Sequence, residues 1–313
     1  MNQLFFQCRA ITPMFMAGAD NKARQASALE LRAPSVKGVM RFWWRAAQAE
    51  SDIAILKRKE AAIFGGTGER EGKSKFSIRI LNSAGIGVGD CREYKPLPHH
   101  TGNSSCFCVQ KQGEKRCSKG RPQPAIATDH IFSVAFSNSF DLLSQDFTQE
   151  HLKSLFTLTA IMGGLGKRSR RGFGSFQITQ VNGQSQSVAV DLNYILSLLE
   201  LLAPQKYYIS GNNIVLEGNC DGSYPYIKEI TIGKLYRSID RLLEVIGEAS
   251  HDYASMYLGT AAKRQRLASP IYVSVIAEGN QFRPVITTLN TEFSPGYQAG
   301  PLNTQNSFKV AIL

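Results

Sequence analysis

Residues 149–181 read QEHLKSLFTLTAIMGGLGKRSRRGFGSFQITQV and contain, in order, a helix, a glycine-rich basic segment and a strand. The apolar spacing predicts a helix over Gln149–Met162, and Thr148 is a suitable N-cap. The residues that follow the glycines, Ser175–Val181, are predicted to form a strand. A further strand, Ile131–Phe136, is predicted upstream, so this part of the chain is a β-α-β unit.

A second β-α-β unit precedes it. Leu4–Thr12 and Ser74–Leu81 are predicted strands, and Val36–Glu50 is a predicted helix with a regular apolar stripe. A short basic helix, Ile55–Ile63, is expected between that helix and the second strand. Residues 82–128 have no periodicity and indicate a functional insertion, because loops of that length are uncommon in compact domains. The order β-α-β, insertion, β-α-β is the ferredoxin-like pattern.

The second half of the chain starts near residue 184 and repeats an α+β composition without a visible sequence repeat. Its predicted elements are Leu192–Leu202 and Leu235–Ile246 as helices, Ile227–Ile232 as a strand, and hairpins at Ile209–Leu216 and at Ile271–Ile276 with Phe282–Thr288. From Ser294 onward the composition predicts a loose tail. We therefore predict an α+β protein with two ferredoxin-like (RRM-related) domains, residues 1–183 with the insertion and 184–313 in degenerate form.

Composition narrows the function. The 313 residues contain 36 Lys and Arg against 25 Asp and Glu, a net charge of +11, which favours a polyanionic partner such as nucleic acid. No apolar run reaches the roughly 18 residues of a membrane span, and the N-terminus lacks signal-peptide features. The six cysteines do not suggest a disulfide framework. We expect a cytoplasmic protein with no membrane partner.

The glycine-rich segment 163–175 is the strongest candidate for chemistry. Glycines let the backbone approach a ligand closely, arginines suit phosphate, and an aromatic ring can stack on a base. The predicted RNA-binding residues are Lys167, Arg168, Arg170, Arg171 and Phe173. The segment is not a Walker A loop, because Ile161 and Arg168 stand where that motif needs Gly and Ser or Thr. A solvated basic loop is the plain alternative.

The predicted helix Val36–Glu50 carries a second set of cations. Lys37, Arg41 and Arg45 are spaced by four residues and form one stripe. No acid opposes them until Glu50, so we expect three unpaired cations that an external anion would relieve. An ordinary amphipathic helix with a solvated charged face is an equal alternative. A third basic group, Lys263, Arg264 and Arg266, is expected to be a solvated helix end.

The insertion contains thiols and imidazoles close together in sequence. Thiolate and imidazole suit Zn²⁺, and four such ligands complete a tetrahedral site. The candidate ligands are Cys106, Cys108, Cys117 and His100, although a flexible loop with free thiols is an alternative. No cofactor is otherwise required. Catalytic residues are not indicated, since only Asp20, His130 or His151 could be recruited as an acid or a base.

Several segments resemble the RAMP proteins of CRISPR systems and, more narrowly, the first RAMP subunit of the Cmr (type III-B) effector complex. The resemblance covers residues 4–81 and 156–178. Its motifs are Ile11-Thr12-Pro13, Gly18-Ala19-Asp20, Glu30 to Gly38, Met40-Arg41-Phe42-Trp43-Trp44-Arg45-Ala46, Ile63-Phe64-Gly65-Gly66 and Arg170-Arg171-Gly172-Phe173-Gly174-Ser175.

The resemblance implies a non-catalytic RNA-binding subunit of an antiviral RNA-guided complex. Such a subunit would contact the 3′ region of guide RNA and the target RNA through the glycine-rich segment and the cations of the first helix. Its partners would be other RAMP subunits and the small helical subunit. Some RAMP proteins cut RNA, so a metal-independent endoribonuclease is the alternative, and a mainly architectural subunit is a third possibility.

Overall fold

A computed structural model describes residues 2–16, 29–69, 71–81, 92–94, 107–109, 121–123, 125–138, 147–262, 265–292 and 303–313. The protein is mixed α+β and contains two five-stranded antiparallel sheets. The predicted α+β class is therefore confirmed. Two smaller sheets, one of two strands and one of three, accompany them.

The first half begins with a long strand and two helices. Its elements are β1 (Asn2–Ala10), α1 (Ala33–Gln48), α2 (Ile53–Phe64), β2 (Ser77–Leu81), β3 (Arg92–Tyr94), β4 (Phe107–Val109), β5 (Arg121–Gln123), β6 (Ile131–Asn138), α3 (Gln149–Met162), β7 (Phe176–Val181) and β8 (Gln184–Ser185). The first sheet has the strand order β2-β6-β1-β7-β8. Antiparallel pairing of β1 with both β6 and β7 makes β1 the central strand.

The second half forms its own sheet. Its elements are α4 (Leu192–Leu202), β9 (Tyr207–Ser210), β10 (Asn213–Leu216), β11 (Ile227–Ile232), α5 (Ile239–Asp252), β12 (Thr260–Ala262), β13 (Gln265–Leu267), β14 (Ile271–Glu278), β15 (Gln281–Leu289) and α6 (Asn303–Ile312). The second sheet has the order β14-β15-β11-β10-β9. Helix α3 of the first half contacts β14 and α4 of the second, which brings the two halves together.

Side-chain alternation decides how each sheet is covered. On β1 the inward residues Leu4, Phe6, Cys8 and Ala10 are at most 3% exposed and pack under the helices, with Phe6 against Phe156 of α3. The second sheet is covered on both sides, because β14 is buried along Ile271–Ile276 and contributes to both hydrophobic clusters. One of these two hydrophobic clusters also contains buried residues of α5 and α6.

Three sequence predictions need correction. The tail was expected to be loose, but Asn303–Ile312 is a helix whose Phe308 and Ile312 are buried. The insertion was expected to lack regular structure, yet β3, β4 and β5 pair as a small sheet. The helix expected from Leu235 begins at Ile239, where Ser238 caps it. In each case tertiary contacts or a local cap outweighed composition.

Most other elements agree with prediction, and α3, α4 and β11 match their predicted bounds. Within the described ranges, no helix has the length and apolarity needed to cross a bilayer.

Candidate nucleic-acid interface

The glycine-rich segment 163–175, here called the basic loop, joins α3 to β7 and is held by backbone hydrogen bonds from both halves. The Lys167 N–H donates to the Phe15 carbonyl at 3.0 Å, and the Gly172 N–H donates to the Val273 carbonyl at 2.7 Å. Phe15 belongs to the segment after β1, whereas Val273 lies in β14 of the second sheet. The basic loop is therefore hydrogen-bonded to both halves of the protein and lies between them.

Two buried hydroxyls fix the C-terminal end of the basic loop. The Thr12 hydroxyl donates to the Gly172 carbonyl at 2.7 Å, and the Ser175 hydroxyl donates to the same carbonyl at 3.1 Å. The Ser175 hydroxyl also accepts the Val275 N–H at 3.0 Å. All of these polar groups are paired inside the protein, so their geometry is specified tightly. The loop backbone is thereby positioned before any ligand arrives.

Arg171 points into the protein. It is 8% exposed, and its guanidinium donates to the Leu258 carbonyl at 2.9 Å, the Ile271 carbonyl at 3.1 Å and the Ser269 hydroxyl at 3.2 Å. Phe308 of α6 lies under the guanidinium, 5.1 Å from its ring centroid. Burial, with a smaller effect of Arg170, lowers the pKa of Arg171 to about 10, so the side chain is charged at neutral pH.

The prediction that Arg171 contacts RNA does not fit this geometry, because its donors are used by the carbonyls of the second half. The same holds for Phe173, which is 2% exposed and packs 5.2 Å from the Phe15 ring. A ring so enclosed is not available for stacking on a base. Both residues instead anchor the basic loop.

The other cations of the basic loop are nearer to solvent. Lys167 is exposed, and Arg168 and Arg170 are partly exposed. The Arg168 guanidinium lies 5.5 Å from the Phe15 ring centroid, and that of Arg170 lies 4.7 Å from the Tyr272 centroid. Aromatic faces attract and orient such cations. Burial lowers the pKa of Arg168 to about 10, which leaves it charged at neutral pH.

The helix stripe consists of Lys37, Arg41 and Arg45, and the expectation of three unpaired cations is wrong for two of them, because Arg41 and Arg45 pair with α2. Glu60 of α2 accepts hydrogen bonds from Arg41 and from Arg45, the latter at 2.6 Å. The Glu60 side chain is 6% exposed, whereas the two arginine side chains are 39% and 38% exposed. One buried carboxylate thus holds two cations that still reach solvent, and the group retains a net positive charge.

Sequence reasoning missed Glu60, although a signal was present. Leu56, Glu60, Ile63 and Phe64 follow one another at helical spacing, and all four are buried in α2. A carboxylate within an apolar stripe is costly to bury unless a cation pairs with it, so its position itself indicates a basic neighbour.

Lys37 lies at the other end of the helix stripe, with its ammonium 5.9 Å from the Phe76 ring centroid. Burial, and secondarily the charge of Arg41, lowers the pKa of Lys37. A nearby phosphate would favour the charged form of this ammonium.

The helix stripe and the basic loop meet different neighbours around α1. Tyr272, which supports Arg170, packs against Phe42 and Trp43 with ring centroids 5.4 Å and 4.9 Å apart. Arg41 faces Glu60 instead, and successive residues of a helix point about 100° apart. Arg170 and Arg41 therefore lie on different sides of α1.

The histidines considered as catalytic groups are scattered. His151 forms the cap of α3 with Thr148, and burial lowers its pKa. His130 is partly buried, and burial lowers its pKa as well. Asp20 lies outside the described residues. Within those residues no group of three or more His, Cys, Asp or Glu side chains is arranged to hold a metal.

The predicted zinc ligands cannot be placed. Cys106, Cys117 and His100 lie outside the described residues, and only the backbone of Cys108 is described, in β4. Lys263 and Arg264 also lie outside them, and the side chain of Arg266 is not described. The zinc site stays a prediction.

Comparison with known proteins identifies the class. The sequence pattern of the RAMP superfamily matches residues 7–177, which include α1, α3 and the basic loop. The chain belongs to the RAMP superfamily.

A more particular relative follows. The chain is 30% identical over 193 residues to "CRISPR system Cmr subunit Cmr1-2" of Pyrococcus furiosus, a match that covers 57% of this chain and 96% of that protein. This confirms the resemblance to the first RAMP subunit of Cmr complexes.

Solved structures share the fold over the full length. The apo crystal structure of Cmr1 from Pyrococcus furiosus aligns with a TM-score of 0.56 at 17% identity, covering 100% of this chain and 96% of that one. A chain in the cryo-EM structure of type III-B Cmr-beta bound to cognate target RNA aligns with a TM-score of 0.57 at 9% identity, covering 99% of both chains. The relation therefore extends beyond residue 177 at the level of the fold.

Proposed function

We propose that this chain is a non-catalytic RNA-binding subunit of a CRISPR type III-B (Cmr) effector complex that takes part in antiviral defence. It would contact the 3′ region of guide RNA and the target RNA, with other RAMP subunits and the small helical subunit as partners. The relationship to Cmr1-2 and the fold shared with a Cmr-beta chain in a target-RNA complex support this role.

The observation that best supports this function is the structure of the basic loop. Its backbone is fixed between the two halves, and on that backbone Lys167 is exposed while Arg168 and Arg170 are partly exposed. Prepositioned cations suit a ribose-phosphate chain because little conformational entropy is lost on binding. Phosphate contacts carry no sequence information, and guide pairing would supply the sequence choice.

The strand order supports a ferredoxin-like first domain. Along the first sheet the strands run β2-β6-β1-β7, and each neighbouring pair is antiparallel. Counted in chain order without the inserted strands, this is the order 2-3-1-4 expected when two β-α-β units interleave. In the second half β11, α5 and β14 form one such unit with β15 between the strands. We propose two domains, 1–183 and 184–313; β8 (Gln184–Ser185), at the start of the second range, still pairs with β7 of the first sheet.

The test is RNA affinity as a function of salt. The variant Lys167→Gln, Arg168→Gln, Arg170→Gln should bind RNA of any sequence more weakly, and its log–log salt slope should fall by about 2, at about 0.7 per lost single-strand phosphate contact. The charge-matched control is Lys228→Gln, Lys234→Gln, Arg237→Gln, three exposed residues of the second half. Equal affinity and slope in the triple variant and the parent would overturn the loop assignment.

The endoribonuclease alternative requires a base or an acid at the scissile ribose. His151 caps a helix and His130 is partly buried, and nothing in the described geometry favours either as such a group. Incubation of labelled guide and target RNA with the pure protein, with and without chelator, decides between the two functions. Site-specific cleavage that Asp20, His130 or His151 substitutions abolish would replace the binding proposal.

We also propose that Cys106, Cys108, Cys117 and His100 hold a structural zinc ion, since their donor atoms suit this metal. Elemental analysis of the purified protein gives one zinc per chain if this is correct and none if the thiols are free.

A further inference from the structure

The first sheet has one face that the described helices do not cover. Residues on β1, β2, β6 and β7 that alternate with the buried ones point away from α1 and α3. This surface, called the open face, consists of the exposed or partly exposed residues Gln3, Phe5, Gln7, Arg9, Ser77, Arg79, Leu81, Ile131, Ser137, Gln177 and Thr179, while Ser133 and Ala135 of the same face are buried between them, at 2% and 5% exposure. By contrast, the second sheet is packed on both sides.

The open face has an unusual composition for a sheet surface. Its residues are mostly amides and hydroxyls, it includes two arginines, and none of its members is acidic. Arg9 reaches Asp129, which lies in the turn before β6, at 3.4 Å. Arg79 is exposed and has no ion pair with another described side chain. The charge of the surface is therefore complementary to a polyanion.

An aromatic ring lies at the centre of this polar surface. Phe5 is partly exposed on the central strand, although its neighbours Leu4 and Phe6 are buried on the other face. The register pairs Phe5 with Ala135, and Ala135 with Arg79 on the next strand. Adjacent strands are about 4.8 Å apart, so Arg79 lies about 10 Å from Phe5 with only a methyl group between them.

We propose that the open face binds unpaired RNA nucleotides, with one base stacked on Phe5 and a backbone phosphate contacted by Arg79. A four-stranded surface with a central, partly exposed aromatic ring suits stacking on exposed bases, and Arg79, two strands away from Phe5, supplies a cation for the backbone of the same strand. The glutamines around Phe5 can hydrogen-bond base edges. This inference rests on the proposed function but assigns a second contact surface, separate from the basic loop and the helix stripe.

The test separates stacking from charge. Phe5→Ala should weaken binding of a ten-nucleotide single-stranded oligouridine about five- to 150-fold and leave its salt slope unchanged, because a lost stacked base is not a lost phosphate contact. Arg79→Gln should weaken binding and lower the slope by about 0.7. Fully duplexed RNA should respond less to Phe5→Ala, since its bases are already stacked. Phe5→Trp, which keeps an aromatic ring at this position, should bind the single strand about as tightly as the parent protein.

Matched controls lie on the second half. Tyr208 is 46% exposed on β9, so Tyr208→Ala removes an exposed ring elsewhere, and Arg237→Gln removes an exposed arginine. Unfolding midpoints confirm that each variant is folded. If Phe5→Ala and Arg79→Gln bind like their controls while the triple basic-loop variant still loses affinity, this inference is wrong and the proposed function stands. Loss of subunit assembly with unchanged RNA binding would make the open face a protein contact and also overturn it.

Discussion

The basic loop and the helix stripe both concentrate positive charge, but they manage it differently. In the basic loop, Arg171 is directed inward to carbonyl groups, while Lys167 and its neighbours remain toward solvent. In the helix stripe, Arg41 and Arg45 share one buried carboxylate, Glu60, and stay partly exposed. The two segments have similar clusters of positive charge in the sequence, but in the structure their arginines have different partners: carbonyl groups for Arg171 and a buried carboxylate for Arg41 and Arg45.

The difference lies in what each set of cations does for the fold. Arg171 stabilises the contact between the two halves through hydrogen bonds that no apolar residue can replace. The Glu60 group instead joins two helices within the first half. A count of arginines in a motif is therefore not a count of ligand contacts, since a folded chain can use a cation internally.

The largest effect is expected from removing the buried guanidinium. Arg171→Met should lower the free energy of unfolding by about 3 kcal/mol, because the Leu258 and Ile271 carbonyls lose a charged donor. Arg170→Met is the matched control and should cost less than about 1 kcal/mol, the usual value of a partly exposed cation–aromatic contact. Equilibrium urea unfolding measures both. Equal losses in the two variants would show that Arg171 does not anchor the loop.

A backbone requirement in the basic loop should give the next largest effect. Gly174 has φ +73°, and a Cβ there would come within 2.0 Å of the Leu165 carbonyl oxygen. Gly174→Ala should therefore cost at least about 2 kcal/mol, the sum of left-handed strain and a clash. Gly183, at φ +80° with no atom within 4 Å, isolates the strain alone, and Gly183→Ala should cost about 1 kcal/mol. Thermal unfolding compares them, and a smaller loss at Gly174 would contradict the docked loop geometry.

Weakening the carboxylate of the helix stripe should have a smaller effect. Glu60→Gln leaves an uncharged acceptor for Arg41 and Arg45 and should lower stability by about 1 kcal/mol, because both arginines can partly hydrate. The exposed ion pair of Lys59 with Glu50 provides a control in Lys59→Gln, with almost no loss expected. The denaturant midpoints of Glu60→Gln and Lys59→Gln measure the two losses of stability. If Glu60→Gln left the free energy of unfolding unchanged, Glu60 would not stabilise the protein through Arg41 and Arg45.

The smallest effect has the opposite sign. Gly38 lies inside α1, and a Cβ there would meet no atom within 4 Å. Gly38→Ala should stabilise the protein by about 0.5–1 kcal/mol, the helix-propensity difference between these residues. The melting temperature should rise, and RNA affinity should stay unchanged. A lower melting temperature would indicate a steric requirement at this position that the described surroundings do not contain.

The sequence predicted those features of this protein that depend on local interactions. The periodicity of Gln149–Met162 and Leu192–Leu202 gave both helices their observed bounds, because apolar spacing and capping residues act within a few residues. The family motifs around Trp43 and the basic loop also identified the superfamily that the comparison with known proteins established.

Only the tertiary structure decided which charged side chains face inward. Adjacent Arg170 and Arg171 have the same side chain and both contact β14, yet Arg170 rests partly exposed on the Tyr272 ring, whereas Arg171 is buried against the Ile271 and Leu258 carbonyls and Phe308 of α6. Glu60 meets Arg41 and Arg45 only once the two helices fold together. Burial of a charge depends on partners distant in sequence, and one-dimensional spacing contains no record of them.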